Sequence, residues 1–335
     1  DNGEIKVNPR RERIKDLDSV PFPAYHKIDF RDYDCRGAFV TARGCPYKCA
    51  FCSVHSVWGR KVIYRGIENV IEEILLVEDE INKFNFYDDT FVLQEKRVME
   101  LLQRMKEEKI DMPWSCFGRV NLMTKELLES ITSAGCAEIF YGIESGSEKI
   151  LKRIHKKFTP EQARKIVDET AKYTTAVTSY IWGYPFETME DFYDTMLQLT
   201  LDWKNPKILP MMLFLSPLPQ APITHEYFHQ LKFKEDVNSL IASLPKEDHI
   251  VNYPSILDVI RKHTKIFSAF YHFNQIGYEK KKEIVDKVRE RGEGGRRQHP
   301  FVSQEGNPRN PREGQALNGS QHSFDATQED RTRVR

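Results

Sequence analysis

Between Ala38 and Leu215, short apolar β-like runs alternate with helical patterns six times, and no other feature limits the fold of this chain so strongly. The runs are Ala38 to Thr41, Phe84 to Tyr87, Trp114 to Val120, Glu138 to Ile143, Ala176 to Trp182 and Ile208 to Leu215. Between the first two, Ile67, Val70, Ile71, Ile74 and Leu75 recur at the spacing of one helical face. Val98, Leu101, Leu102 and Met105 repeat that spacing in the next interval, and Leu127, Leu128 and Ile131 in the third. The fourth interval has room for two helices. Thr159-Pro160-Glu161-Gln162 opens the second with an N-cap threonine, a proline in the first turn and a glutamine three residues on. Thr188 caps a further helix carrying Phe192, Met196 and Leu197. Strict alternation predicts a parallel sheet with helical crossovers, in an α/β fold. Periodicity leaves the closure open between a doubly wound open sheet and a barrel or partial barrel.

Residues 1–34 are polar and then proline-bearing, and read as a linker or docking arm. Residues 35–217 hold the alternating core, and 218–291 a small, mostly helical C-terminal extension. Residues 292–335 carry few apolar side chains among many polar ones and several glycines and prolines, and are expected to be disordered. Fifty Lys and Arg balance fifty Asp and Glu over 335 residues, which argues against a polybasic nucleic-acid or membrane-surface protein. No apolar run approaches the roughly 18 residues of a membrane-spanning helix, and no secretory leader opens the chain. The chain starts at Asp1 rather than Met, as an excised or processed product would.

Six cysteines are too few for a disulfide scaffold, and three of them crowd into eight residues. Gly44-Cys45-Pro46-Tyr47-Lys48-Cys49-Ala50-Phe51-Cys52-Ser53 has the spacing C-x3-C-x2-C directly after the first strand, where βα loops of a parallel barrel carry active sites. Clustering without export signals points to metal or redox chemistry in the reducing cytoplasm. Three thiolates on one loop suit three corners of a cubane iron–sulfur cluster, with the fourth iron open to an exogenous ligand. Structural zinc would want a closed set of four ligands, for which only His55 lies near. A fourth cysteine from Cys35, Cys116 or Cys136 would instead close the cluster. Cys116 and Cys136 read more naturally as core thiols.

The cysteine spacing, with Phe51 before the third cysteine, resembles the radical S-adenosylmethionine (SAM) superfamily. Within it the chain is most similar to the cobalamin-associated class of radical methylases and anaerobic magnesium-protoporphyrin ester cyclases. The resemblance spans roughly residues 10–220 and rests also on Asp16 to Tyr25, Phe86-Tyr87-Asp88-Asp89-Thr90-Phe91, Gly142-Ile143-Glu144-Ser145-Gly146 and Gly183-Tyr184-Pro185-Phe186-Glu187-Thr188. It implies a partial (β/α)6 barrel and a [4Fe–4S] cluster on Cys45, Cys49 and Cys52 whose unique iron chelates SAM. One-electron reduction then yields methionine and a 5′-deoxyadenosyl radical that abstracts hydrogen from a small or medium organic substrate. A reductant such as flavodoxin or ferredoxin is implied, and nucleic acid is not expected. Family members often have glycine where Phe186 stands, so the local turn here can differ.

The resemblance also proposes cofactor contacts, each with a plainer alternative. The Phe51 backbone lies within the cluster loop. Asp88 and Asp89 would accept the SAM ammonium group, or cap the following helix. Arg119 would hold the carboxylate in a bidentate fork, or pair with Asp88, Asp89 or Glu144. Glu144 and Ser145 suit ribose hydroxyls, whereas Ser145 or Ser147 can equally cap the next helix. Ile181 and Gly183 would meet the adenine by apolar packing and backbone contact. Cobalamin-linked methylation is the favoured activity, with radical cyclisation or rearrangement, or a non-catalytic structural cluster, as alternatives. The D-x-H-x-x-G signature of a cobalamin domain is missing, so that domain is expected upstream of Asp1 or not at all.

Overall fold

The computed structural model describes residues 8, 9, 11–233 and 254–293. Six strands form one sheet: β1 (Arg36–Phe39), β2 (Lys83–Phe86), β3 (Trp114–Gly118), β4 (Cys136–Glu144), β5 (Thr175–Trp182) and β6 (Ile208–Phe214). Every neighbouring pair is parallel, with Gly37 opposite Phe84, Phe84 opposite Trp114, Phe117 opposite Phe140 and Val177 opposite Leu209. The spatial order equals the chain order. A doubly wound sheet reverses its strand order at a switch point, and a barrel does not. The closure left open by periodicity is therefore that of a barrel, and a partial one, because β1 and β6 stand at the two edges.

The crossovers follow the expected pattern. They are α1 (Ile67–Leu75), α2 (Glu95–Glu107), α3 (Lys125–Ser133), the pair α4 (Glu148–Arg153) and α5 (Pro160–Tyr173), and α6 (Met189–Trp203). Thr159 and Gln162 close a reciprocal capping box on α5, and Thr188 and Asp191 do so on α6. Ser147 caps α4 and Thr124 caps α3. Each such cap satisfies donors that the first turn cannot, for about 1 kcal/mol.

The sheet has two unlike faces. Toward the helices, Phe84, Phe86 and Trp114 pack edge-on and stacked with Phe91, and continue into Ile139, Tyr141 and Ile143. Cys116 and Cys136 belong to this core, as their sequence context suggested. Strand alternation turns Asn85, Ser115, Phe117, Glu138 and Phe140 to the opposite, inner face. Phe117 and Phe140 stay partly exposed there.

Residues 11–30 lie against the barrel. Arg13 Nη1 donates to Lys61 O at 2.6 Å, Asp18 accepts from Gly66 N, Tyr25 Oη donates to Glu73 at 2.8 Å, and Leu17 and Phe30 are buried. After β6, strand 231–233 pairs antiparallel with 271–273, and α7 (Pro254–Lys262) and α8 (Tyr278–Glu293) follow. The tail expected to be disordered lies, from residue 294 on, outside the described residues. No helix among the described residues is long and apolar enough to cross a membrane.

Candidate cofactor site

The cysteine loop leaves β1 at the C-terminal end of the sheet, and both aspartates after β2 grip its start. Asp88 accepts from Thr41 N at 2.6 Å, Ala42 N at 3.1 Å and Thr41 Oγ1 at 2.5 Å, so its carboxyl group is used in holding the loop. Burial raises its pKa to about 6, against those bonds. Asp89 spends one oxygen on Gly44 N at 3.0 Å and stays half-buried. Neither aspartate caps the next helix, whose N-cap is Gln94.

Cys45, Cys49 and Cys52 are unbridged and partly exposed. Cys45 Sγ lies 3.6 Å from Thr90 Oγ1, Cys49 Sγ lies 3.9 Å from Arg119 Nη1, and Cys52 Sγ accepts from Val54 N at 3.5 Å. Burial raises the Cys52 thiol, and the Cys49 and Cys45 thiols add to the rise, so the three sit within electrostatic reach of one another. Among the described residues, no three His, Cys, Asp or Glu side chains converge tightly enough to hold a single metal ion. A cubane spreads its thiolates wider than one ion does, and three partly open thiols beside a hydroxyl and a guanidinium fit that larger group. From behind, Ala50 N donates to Ile154 O and Ile223 N to Ala50 O, while His155 Nδ1 is 3.0 Å from Lys48 O.

Arg119, at the end of β3, forms none of the ion pairs that its sequence context left open. Its Nε donates to Asn121 at 2.8 Å, its Cζ stands 3.5 Å from the Tyr47 ring centroid, and its buried Nη2 has no partner. A cation held by stacking and one side bond keeps a donor in reserve for an anion.

Glu144 ends β4 with φ +73°, where the ladder shifts register. Its carboxylate folds back over Gly142, where a Cβ would meet Oε1 at 2.3 Å and push the carboxylate aside. Lys156 pairs with that carboxylate at 3.0 Å and donates to Gly142 O at 2.9 Å. The same ammonium lies 5.7 Å from the Phe51 ring centroid, joining the cysteine loop to the end of β4. Ser145 is turned elsewhere. Its hydroxyl is 2.9 Å from Thr195 Oγ1 and accepts from Ser147 N, which ties α6 to the start of α4.

Beyond β5, partly buried Ile181 is followed by Gly183 at φ +97°, where a Cβ would strike the Phe214 ring at 2.5 Å. Gly183 N donates to Glu187, which forms a fully buried ion pair with Lys281 of α8 at 2.9 Å. Tyr184 is fully buried with an unpartnered hydroxyl, and Glu144, Glu187 and Cys49 all act on it electrostatically. The structure thus gathers Cys45, Cys49, Cys52, Phe51, Asp89, Arg119 and Glu144 around one loop, and leaves the Ser145 side chain out. Sequence reasoning gave no role to the side chains of Thr90, Lys156 and Lys281, and placed Tyr184 only within the loop after β5. Thr90 and Tyr184 carried a signal, each lying inside a stretch that matches the family.

Comparison with known proteins identifies the family and the fold. Residues 39–199 match the family model of the radical SAM superfamily. An uncharacterized methyltransferase of Pyrococcus horikoshii is 34% identical over 58% of this chain and 44% of its own length. Bacteriochlorophyllide d C-12(1)-methyltransferase of Chlorobaculum tepidum is 29% identical over 69% of this chain and 51% of its own. The solved cobalamin-dependent SAM radical enzyme OxsB shares the fold, with a TM-score of 0.59 and 15% identity over 86% of this chain and 45% of that one. The chain spans about half the length of the curated relatives it matches.

Proposed function

We propose, from the premise that residues 39–199 form a radical SAM domain, that this protein is a radical SAM enzyme which methylates an organic substrate, with cobalamin as the methyl carrier. Cys45, Cys49 and Cys52 would hold three irons of a [4Fe–4S] cluster and leave the fourth for SAM. Bound together and reduced by one electron, cluster and SAM supply reductive cleavage of the sulfonium and hydrogen abstraction from substrate.

The chain's own residues then have separable tasks. Arg119 Nη2 donates to the methionyl carboxylate. The free oxygen of Asp89 accepts from the ammonium group, while Asp88 anchors the loop. Glu144 accepts from the ribose hydroxyls, with Lys156 holding its carboxylate in place at 3.0 Å. Ile181 and Gly183 give the adenine an apolar edge and close backbone approach, and the Phe51 backbone borders the cluster. Ser145 acts on the site by fixing the chain after Glu144. The organic substrate enters from the inner face, and a one-electron donor such as flavodoxin or ferredoxin supplies the reducing equivalent. Cobalamin enters the reading through the methyltransferase-named relatives and the cobalamin-dependent fold neighbour.

The observation that carries this reading is Arg119, a stacked and buried guanidinium beside Cys49 with an unused donor. Anaerobic reconstitution with iron and sulfide, followed by SAM, dithionite and added cobalamin, tests it. Formation of 5′-deoxyadenosine and S-adenosylhomocysteine is the expected result. A fully protein-ligated cluster, or a loaded protein that leaves SAM intact, overturns it.

A further inference from the structure

The inner face of the sheet carries an aromatic strip that the helical core does not absorb. Phe117 and Phe140 are paired residues on β3 and β4, with ring centroids 5.1 Å apart, and Tyr87 just past β2 lies 6.1 Å from Phe117. None of the three belongs to the core between sheet and helices. Tyr87 is 44% exposed, and the two phenylalanines are partly exposed. Aromatic rings left partly exposed inside a barrel forgo part of the burial that each could have gained. Asp89, Arg119 and Glu144 come after these rings in the chain, at the C-terminal ends of the same three strands.

Toward the other end of the strands, the inner face becomes polar without a net ion pair. Ser115 Oγ donates to Asn85 Oδ1 at 2.6 Å, and Asn85 Nδ2 donates to Tyr87 Oη at 2.9 Å. Glu138 lies opposite Ser115 in the ladder, and it is 6% exposed with Oε1 buried and unpartnered. Burial raises its carboxyl pKa to about 7, with Arg36 opposing the rise. A buried carboxyl oxygen without a partner is destabilising unless a ligand or water completes it.

We propose that the substrate of the reaction presents an uncharged, planar unsaturated ring to this face, flat against Phe117 and Phe140, with a hydrogen-bonding edge toward Glu138. The inference rests on the radical SAM reading, because it assigns the reacting substrate to the face below the cofactor residues. Flat rings gain offset or edge-on contacts from such a wall, whereas a puckered ring of equal size gains area alone. A charged substrate would instead leave an ion against Ser115, Phe117, Phe140 and Gly142, the described inner-face residues between Arg119 and Glu138, none of which carries a charge.

Equilibrium dialysis of the full chain carrying its cluster tests this with 2-naphthol as probe and decahydro-2-naphthol, its saturated analogue, as shape control. The expected result is that 2-naphthol binds about fivefold more tightly than the saturated alcohol. The double substitution Phe117→Leu with Phe140→Leu should abolish that preference, and Glu138→Leu should weaken 2-naphthol while leaving naphthalene unchanged. Equal binding of the two alcohols, or an undiminished preference in the double variant, overturns the inference. SAM dialysed in parallel separates the two readings. Retained SAM without ring preference refutes the ring alone, and ring preference without SAM refutes the cofactor reading alone. Should the double variant lose SAM through misfolding, Phe140→Leu takes its place with the same criteria.

Discussion

Lys156 Nζ stands 3.0 Å from Glu144 Oε1, with both side chains almost fully buried, although the two sit on opposite sides of α4. The pair links the strained end of β4 to the aromatic residue of the cysteine loop. Replacing Lys156 by Met leaves the Glu144 charge buried alone, a loss of about 3–5 kcal/mol. Thermal unfolding of the unloaded chain should show that loss, and Glu144→Gln in the Lys156→Met background should recover part of it. A Lys156→Met protein as stable as the parent would show that the pair contributes nothing.

Arg119→Lys should behave almost as badly as Arg119→Met. Lysine keeps the charge but neither the planar stack on Tyr47 nor the fork that spares Nη2. Titration of reconstituted protein with SAM should give an affinity about tenfold weaker or worse in both variants, at about 1.5–3 kcal/mol for a charge-assisted bond. Near-parental affinity in the lysine variant would remove Arg119 from the carboxylate.

Five of the six cysteines should divide cleanly by iron content. Alanine at Cys45, Cys49 or Cys52 should abolish retention of a four-iron cluster after reconstitution. Alanine at Cys116 or Cys136, both in the core, should keep the cluster and cost about 1 kcal/mol or more of stability. Iron loss in the Cys116 or Cys136 variant would reassign the fourth ligand.

Gly142→Ala should damage the site from a position that carries no chemistry. Its new Cβ would fall 2.3 Å from Glu144 Oε1, so the carboxylate must swing off Lys156. A destabilisation of about 1–3 kcal/mol is expected, with SAM affinity falling alongside. Unchanged SAM affinity would mean that Glu144 is free to move without consequence.

Stability should fall as pH rises through the range in which Glu138 titrates. Its carboxyl pKa is about 7 folded, above the ordinary 4.5, so the folded chain binds the extra proton between those values. The stabilisation is complete below about 4.5 and lost as pH passes about 7, up to about 3 kcal/mol in all. Glu138→Gln stays neutral and escapes this loss, so the variant should melt increasingly above the parent from pH 5 to pH 8. A constant gap would mean that the carboxyl is solvated when folded.

Much of this architecture was legible along the chain. Hydrophobic spacing marks each strand and helix because burial is a local, periodic demand, and the Thr159 and Thr188 caps mark two helix starts because capping acts over three residues. The C-x3-C-x2-C loop was legible for the same reason, its ligands being neighbours in sequence. Which of the paired aspartates is spent on the loop was not, since Thr41 and Ala42 lie more than forty residues from Asp88. Nor did any pattern announce Lys281 as the partner of Glu187, 94 residues away.

The order of residues alone thus determined the parallel strand–helix succession and the trio of thiols, because periodicity and short spacing are properties of adjacent residues. Only the tertiary structure decided that the sheet curls without reversing its order, that Arg119 stacks instead of pairing, and that Phe117 and Phe140 remain uncovered. Those outcomes depend on which distant side chains compete for the same space and charge, and that competition exists only once the strands lie side by side.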